Sequence, residues 1–328
     1  MKALRKTIII ALLISALPAL CACGGNTPES AGAAPENAVP TAAVSEDVVP
    51  EGSALESIVL EDVEPGGGKD SFTCSCEGTE RRFTVYMPEE KSDGIPLIIM
   101  LHGFGNSPES FRMTTHMDEL ACPRGYAVVY ASYSAGGGKS GADGWNFDAN
   151  DGKDDTAFLT ALARYMQEKY GCSKKDTFAA GFSNGAVMTW RLAADAAGTF
   201  SGIAAVAGPV PESVWESRAE ETSVSVLQIY GSKDDVVPKI ADGSYLTAKS
   251  PAAEDAAEYL AKAGGLEFAG EETLSDKATC KTWNAAGRNN LVKSIVIEGG
   301  RHAWPEAKYS GIDASEVILD FFDEIRGR

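Results

Sequence analysis

The chain has 328 residues, is 44% hydrophobic and carries a formal charge of -18 with only three histidines. So acidic a chain is a poor partner for nucleic acid or for an anionic lipid surface. It has no paired C-x-x-C and no H-E-x-x-H, and it is too poor in histidine to suggest a metal centre; neither a metal nor an organic cofactor is expected.

Lys2, Arg5 and Lys6 precede the apolar run TIIIALLISALPAL, a basic start and a short hydrophobic stretch that read as a signal peptide over residues 1–22. Leu20, Ala22 and Cys23 follow. A leucine, small residues and then a cysteine resemble the lipobox of bacterial lipoproteins, with Cys21 departing from the usual small residue. The resemblance implies cleavage before Cys23 and lipidation of that cysteine. The expected location is therefore extracytoplasmic, anchored to a membrane by lipid alone. Loss of residues 1–22 removes three positive charges and takes the formal charge from -18 to -21. Residues 23–69, rich in Ala, Pro, Glu, Gly, Ser and Val, read as a disordered stalk. Residues 70–328 have the size of one α/β domain.

Along that domain, FTCSC and RRFTVYMP flank EGTE as an antiparallel hairpin. Cys74 and Cys76 then share one face, too near each other to pair but open, like Cys122, Cys172 and Cys280, to a distant partner. PLIIMLHG is a buried strand, a helix falls within Pro108–Leu120, and YAVVYASY is a strand. DDTAFLTALARYMQEKYG has acids in its first turn, Lys169 near its end and Gly171 as a stop, which predicts a helix. DTFAAGF is a strand and NGAVMTWRLAADAAG a helix; GIAAVAG and VSVLQIYG are strands. SPAAEDAAEYLAKAGG predicts a helix capped by Ser250 with Pro251 first. LVKSIVIEGG is the last strand and DASEVILDFFDEIRG the last helix. This alternation predicts a mostly parallel sheet covered on both faces.

Ser183 stands in AAGFSNGAVM with Gly181 and Gly185 two residues to either side. G-x-S-x-G between a strand and a helix has the context of a nucleophile elbow: a tight turn whose flanking positions tolerate no side chain, and whose helix aims its N–H groups at the serine. A serine nucleophile needs a base. His102, in MLHGFG, better suits a loop that shapes an oxyanion pocket. His116 reads as a surface or packing residue. His302, in EGGRHAWP after the last strand, is the base by elimination and by position. The acid comes from QIYGSKDDVVP, where spacing alone does not separate Asp234 from Asp235. Serine, aspartate, histidine is the α/β-hydrolase chain order.

LIIMLHGFGNS, GWNFDANDGKDDTAFL, TFAAGFSNGAVM, YGSKDDVVP and GGRHAWP run in the order seen in a known family. The sequence resembles the extracellular esterases that group polyhydroxybutyrate depolymerases with feruloyl and acetylxylan esterases, over about residues 72–328. The resemblance implies an α/β-hydrolase fold, a serine carboxylic-ester hydrolase working through an acyl-enzyme, Asp234 as acid, His302 as base, and the backbone N–H groups of Phe104 and Asn184 as the oxyanion hole. Tyr230 stands where the family often has His, and Ala186 and Arg301 replace glycines.

Only about 18 residues separate Gly208 from the strand at Val226, too few for a large lid. An open cleft and a tethered body suit a polymeric ester. Trp145, Trp304 and Tyr133 are expected near the mouth, where they would stack on a sugar or an aryl acid. Plant cell-wall polysaccharide bearing ferulate or acetate is the first expectation and polyhydroxybutyrate the second. A serine peptidase of this fold would bring a large extra domain. A non-catalytic carbohydrate-binding lipoprotein would show damage to the triad, and none is visible.

Overall fold

The computed structural model describes residues 54–90, 92–134, 143–147, 155–237 and 250–327. The expected signal peptide, Cys23 and most of the stalk lie outside them.

The eleven strands of the described residues form one sheet: β1 Glu61–Pro65, β2 Ser71–Cys76, β3 Thr79–Tyr86, β4 Ile95–Leu101, β5 Ala127–Ser132, β6 Cys172–Phe182, β7 Gly202–Val206, β8 Ser225–Gly231, β9 Glu267–Thr273, β10 Ala278–Asn284 and β11 Val292–Ile297. Their spatial order is β1-β2-β3-β5-β4-β6-β7-β8-β11-β10-β9. From β5 to β11 every neighbouring pair is parallel. Antiparallel strands extend both edges. This is the α/β-hydrolase architecture expected from the sequence.

Strands β4 and β7 are unbroken apolar runs because both faces are covered. All seven residues of β4 are buried. Their side chains alternate: Leu97, Ile99 and Leu101 join one half of the core, Ile98 and Met100 the other. The first half packs under α3 Asp155–Tyr170, α4 Asn184–Asp195 and α6 Ala253–Ala263. The second packs under α1 Pro108–Thr115, α2 Met117–Ala121 and α8 Ala314–Arg326, where Phe178 and Phe322 stack at 4.4 Å.

Four local readings change. Residues 54–69 are not part of a disordered stalk. A 3-10 turn at Ala54–Ser57 and β1 are ordered, with β1 paired to β2, and Ile58, Leu60 and Val63 packed on the core. Arg164 of α3 donates to the carbonyls of Leu55 and Ile58. The single helix expected over 108–120 is two, because His116 adopts a left-handed conformation at the joint (φ 47°). Ser250 does not cap α6; its cap position is Ala252, with no side-chain hydrogen bond. The five cysteines of the domain are all thiols rather than disulfides, and burial pushes Cys74 and Cys172 up to about 12, which makes them unreactive.

Between β7 and β8 the chain forms only the short α5 Glu212–Glu216, so no large lid arises there. Among the described residues no helix is long and apolar enough to cross a membrane.

If β1 belongs to the cooperative unit, a chain beginning at residue 70 will be less stable than one beginning at residue 54 by about 3 kcal/mol, from three half-buried aliphatic side chains. Urea denaturation of the two will measure it; equal midpoints would show β1 to be an appendage.

Candidate active site

Ser183 occupies the turn between β6 and α4 with φ 52° and ψ -116°, a conformation L residues avoid. Its N–H donates to the Val206 carbonyl of β7 (2.9 Å), and its own carbonyl accepts from Val187 to start α4 (3.0 Å). The glycines are there for clearance. A Cβ on Gly181 would lie 2.7 Å from the Ala186 nitrogen. One on Gly185 would lie 2.7 Å from the His102 oxygen and closer still to the Leu101 carbonyl. One on Gly208 would lie 2.7 Å from the Ser183 oxygen. No real Cβ approaches so near, so α4 can seat its first turn against the end of β4 only with glycine at these places.

Three parallel strands deliver the polar groups. Ser183 follows β6, Asp234 follows β8 and His302 follows β11, all at carboxyl ends. His302 Nε2 lies 2.8 Å from Ser183 Oγ, and Nδ1 lies 3.0 Å from Asp234 Oδ2. The carboxylate can only accept, so Nδ1 carries the proton and Nε2 is left to take one from the serine.

Asp234 is fully buried, whereas Asp235 is exposed. Asp234, and not Asp235, meets His302, and backbone geometry turns it inward: its Oδ1 accepts from the amides of Val236 (2.8 Å) and Val237 (3.2 Å). Burial by itself would raise the Asp234 pKa; the hydrogen bond from His302 and those two amides outweigh it and hold the carboxyl below its ordinary range. The group is therefore a carboxylate wherever the protein is folded at neutral pH.

The loop after β4 runs beside the serine. A Cβ on Gly103 would be 3.6 Å from Ser183 Cβ, so the backbone leading to Phe104 is in reach of a group bound there. Asn184 opens α4, and the first amides of a helix lack intrahelical acceptors. Amides at these two places can stabilise an oxygen anion at the serine.

Of the three aromatic residues expected to meet substrate, two do not stand at the surface. Trp145 is 0% exposed. Its indole N–H donates to the His102 carbonyl (2.9 Å), and its backbone N–H donates to Asn184 Oδ1 (2.6 Å). Trp304 is 7% exposed, edge-on to Phe111 and Phe182. Tyr133 is half-buried and donates to the Asn106 carbonyl (3.3 Å). The sequence reading missed Phe104 as a side chain: it is 63% exposed, with its ring edge against Gly144. It also missed Phe182, whose ring packs on His302 at 5.2 Å. Arg301 is exposed next to His302.

The Phospholipase/Carboxylesterase family profile matches residues 82–246, half of the chain and the span that holds Ser183 and Asp234. The chain belongs to that family. It is a carboxylic ester hydrolase of the α/β-hydrolase type. Among curated relatives, NocK of Nocardia uniformis subsp. tsuyamanensis, which carries an esterase name, is 28% identical over 92% of this chain and 89% of its own length. The bifunctional acetylxylan esterase/xylanase XynS20E of Neocallimastix patriciarum is 27% identical over 49% of this chain, but the match spans only 22% of that enzyme. Feruloyl esterase B of Thermothelomyces thermophilus is 24% identical over 46% of this chain and 54% of its own. Among solved structures, acetyl xylan esterase from Aspergillus awamori superposes with a TM-score of 0.56, covering 74% of this chain and 94% of that one at 14% identity, a likeness of fold.

His102 adds a property of this esterase. It is buried, its Nδ1 faces the Gly103 carbonyl at 3.1 Å, and its Nε2 has no hydrogen-bond partner among the described residues. Burial pushes its pKa from an ordinary 6.5 down to about 4. As pH falls the unfolded chain protonates first, so stability is lost from near pH 6.5 and the loss is complete near pH 4. The shift corresponds to about 3 kcal/mol. Urea unfolding of the parent and His102→Gln chains at pH 7 and pH 4 will show a smaller acid loss in the variant by about that amount; parallel losses would show that His102 is protonated in the fold.

Proposed function

We propose that Ser183, His302 and Asp234 form the catalytic triad of a serine esterase that acts on acylated polysaccharide. The observation that carries this reading is the unbroken hydrogen-bonded series from Ser183 Oγ to His302 to a buried, ionised Asp234. In the proposed reaction His302 Nε2 takes the Ser183 proton as Oγ bonds to the ester carbonyl carbon. The carbonyl oxygen becomes an anion held by the Phe104 and Asn184 N–H groups; loss of one such donor typically costs about 3–4 kcal/mol of barrier reduction. The bond to the alcohol oxygen breaks, and that oxygen takes the proton from Nε2. Water then gives a proton to Nε2 and its oxygen to the acyl carbon; the bond from that carbon to Oγ breaks, Oγ takes the proton back from Nε2, and the acid leaves. Asp234 holds the imidazole tautomer and stabilises its cation.

Ferulate or acetate on plant cell-wall polysaccharide is the proposed substrate. The acetylxylan and feruloyl esterases among the relatives support it, as does the absence of a large lid between β7 and β8. The exposed Phe104 supplies the aromatic surface that the buried tryptophans do not. We also propose export and tethering through a lipid on Cys23, on the basis of the N-terminal sequence.

The test compares the protein with its Ser183→Ala variant on methyl ferulate, acetylated xylan and polyhydroxybutyrate, alongside labelling by a fluorophosphonate. Serine-dependent release of ferulate or acetate is expected, with labelling of Ser183 that His302→Ala suppresses. Attack on the polyester alone would transfer the assignment to a depolymerase. No release and no labelling would favour a carbohydrate-binding role. Expression in a bacterial host should place the parent in the membrane fraction and Cys23→Ser outside it; equal partition would refute the lipid anchor.

A further inference from the structure

We infer that Trp145 is a positioning residue that sets the width of the oxyanion pocket. The inference rests on the proposed roles of Ser183 and of the Phe104 and Asn184 amides.

Those two amides come from segments about eighty residues apart in the chain, the loop after β4 and the first turn of α4. β4 and β6 pair as far as Leu101 and Gly181, and the first turn of α4 sits against Leu101 and His102, but neither contact reaches Phe104. Trp145 joins both. Its indole N–H holds the His102 carbonyl, two residues before Phe104, and its backbone N–H holds the side-chain oxygen of Asn184 itself. A carbonyl pulled toward the indole and an amide oxygen pulled toward the Trp145 backbone leave the N–H groups of residues 104 and 184 little freedom to separate.

The strut is itself held. The Trp145 ring is enclosed by Tyr133, edge-on at 6.0 Å, and by the ring of His102 at 5.7 Å. The next residue, Asn146, donates its N–H to Asp155 Oδ2 at 2.7 Å. Asp155 opens α3, is fully buried, and is paired with the equally buried Arg81 of β3. Arg81 lies over the Phe158 ring at 4.8 Å. A buried ion pair of this kind contributes little net stability, but it cannot shift without exposing an uncompensated charge, so it makes a firm anchor. Gly144 completes the fit: a Cβ there would come 3.0 Å from Asn184 Oδ1 and 3.1 Å from the Phe104 ring. The sequence Gly-Trp-Asn thus places a small residue, a strut and an anchored amide in succession.

Loss of the strut should harm the tetrahedral state and not substrate binding, because the pocket is needed most when charge develops on the oxygen. Trp145→Phe keeps a ring and removes the indole N–H. Asn184→Ala keeps the backbone amide and removes the other tie. For p-nitrophenyl acetate, each variant should lower kcat by about tenfold to a hundredfold, below the full loss of an oxyanion donor, with KM within about twofold. The rate of fluorophosphonate labelling at Ser183 should fall in parallel. The pH midpoint of kcat/KM should not move, since the base and its acid are untouched. Thermal unfolding of the full-length proteins separates this from a folding defect. If Trp145→Phe does not fold, Asn184→Ala decides alone. A folded variant with parental kcat, or one whose KM rises while kcat holds, overturns the inference. Activity that survives Ser183→Ala overturns the triad reading and this inference with it, whereas Ser183-dependent activity indifferent to both ties overturns only the strut.

Discussion

The structure turns on the backbone of one residue. Ser183 is held at φ 52° and ψ -116°, which costs roughly 1–3 kcal/mol relative to an ordinary turn. That strain persists only because the surroundings overdetermine it. β6 lies at the centre of the sheet between β4 and β7, and the Ser183 N–H is bonded to β7. The next helical turn is pressed on the carbonyls that end β4. Glycine at 181, 185 and 208 is the condition for all of this, since each removes a Cβ that would meet backbone. Backbone cannot move aside as a flexible side chain can, so the turn is rigid by construction.

Two buried carboxylates support groups that reach that turn, and they show how charge is kept inside. Asp234 is satisfied by two amides and a histidine. Asp155 is satisfied by a guanidinium and an amide. Neither is left without hydrogen bonds, which is the condition for burying a polar group at tolerable cost. The consequence is geometric. Each carboxylate holds the group that leans on it: the imidazole of His302, which meets Ser183, and the 145–146 backbone, which meets Asn184.

What the sequence made legible follows from how each element is buried. Runs such as Ile95–Leu101 and Gly202–Val206, covered on both faces, are visible as uninterrupted apolar stretches. The edge strands are not. β9 reads EFAGEET, is exposed at six of its seven positions, and carries Gly270 at φ 146°, so neither alternation nor apolarity announces it. β1, EDVEP, hid for the same reason and was absorbed into the stalk. The candidate site was legible where a side-chain type at a strand end defines the chemistry, as for Ser183 and His302. It was ambiguous between Asp234 and Asp235, because only the turn geometry decides which carboxylate faces inward. It was misread at Trp145, since an aromatic residue between glycine and asparagine looks like a surface platform, and the carbonyl and amide oxygens that bury it belong to segments about forty residues away on either side.

The second tryptophan shows that this use of aromatic residues is general around the site. Trp304 follows His302 by two residues, and its indole N–H donates to Ser315 Oγ at 3.3 Å. Its ring meets Phe111 of α1 at 5.4 Å and Phe182 at 6.4 Å, and Phe182 in turn packs on the His302 ring. His302 therefore rests on a layer of rings rooted in the core beneath β4 and β5. An imidazole with a hydrogen bond at each nitrogen and an aromatic ring beside it has few rotamers to choose from, so in the proposed reaction it would lose little entropy on accepting the serine proton. Trp145 ties the loop after β4 to the first turn of α4, and Trp304 underlies the Phe182 ring that packs on His302. Residues that sequence alone assigns to ligand contact here fix the places of the groups able to make that contact.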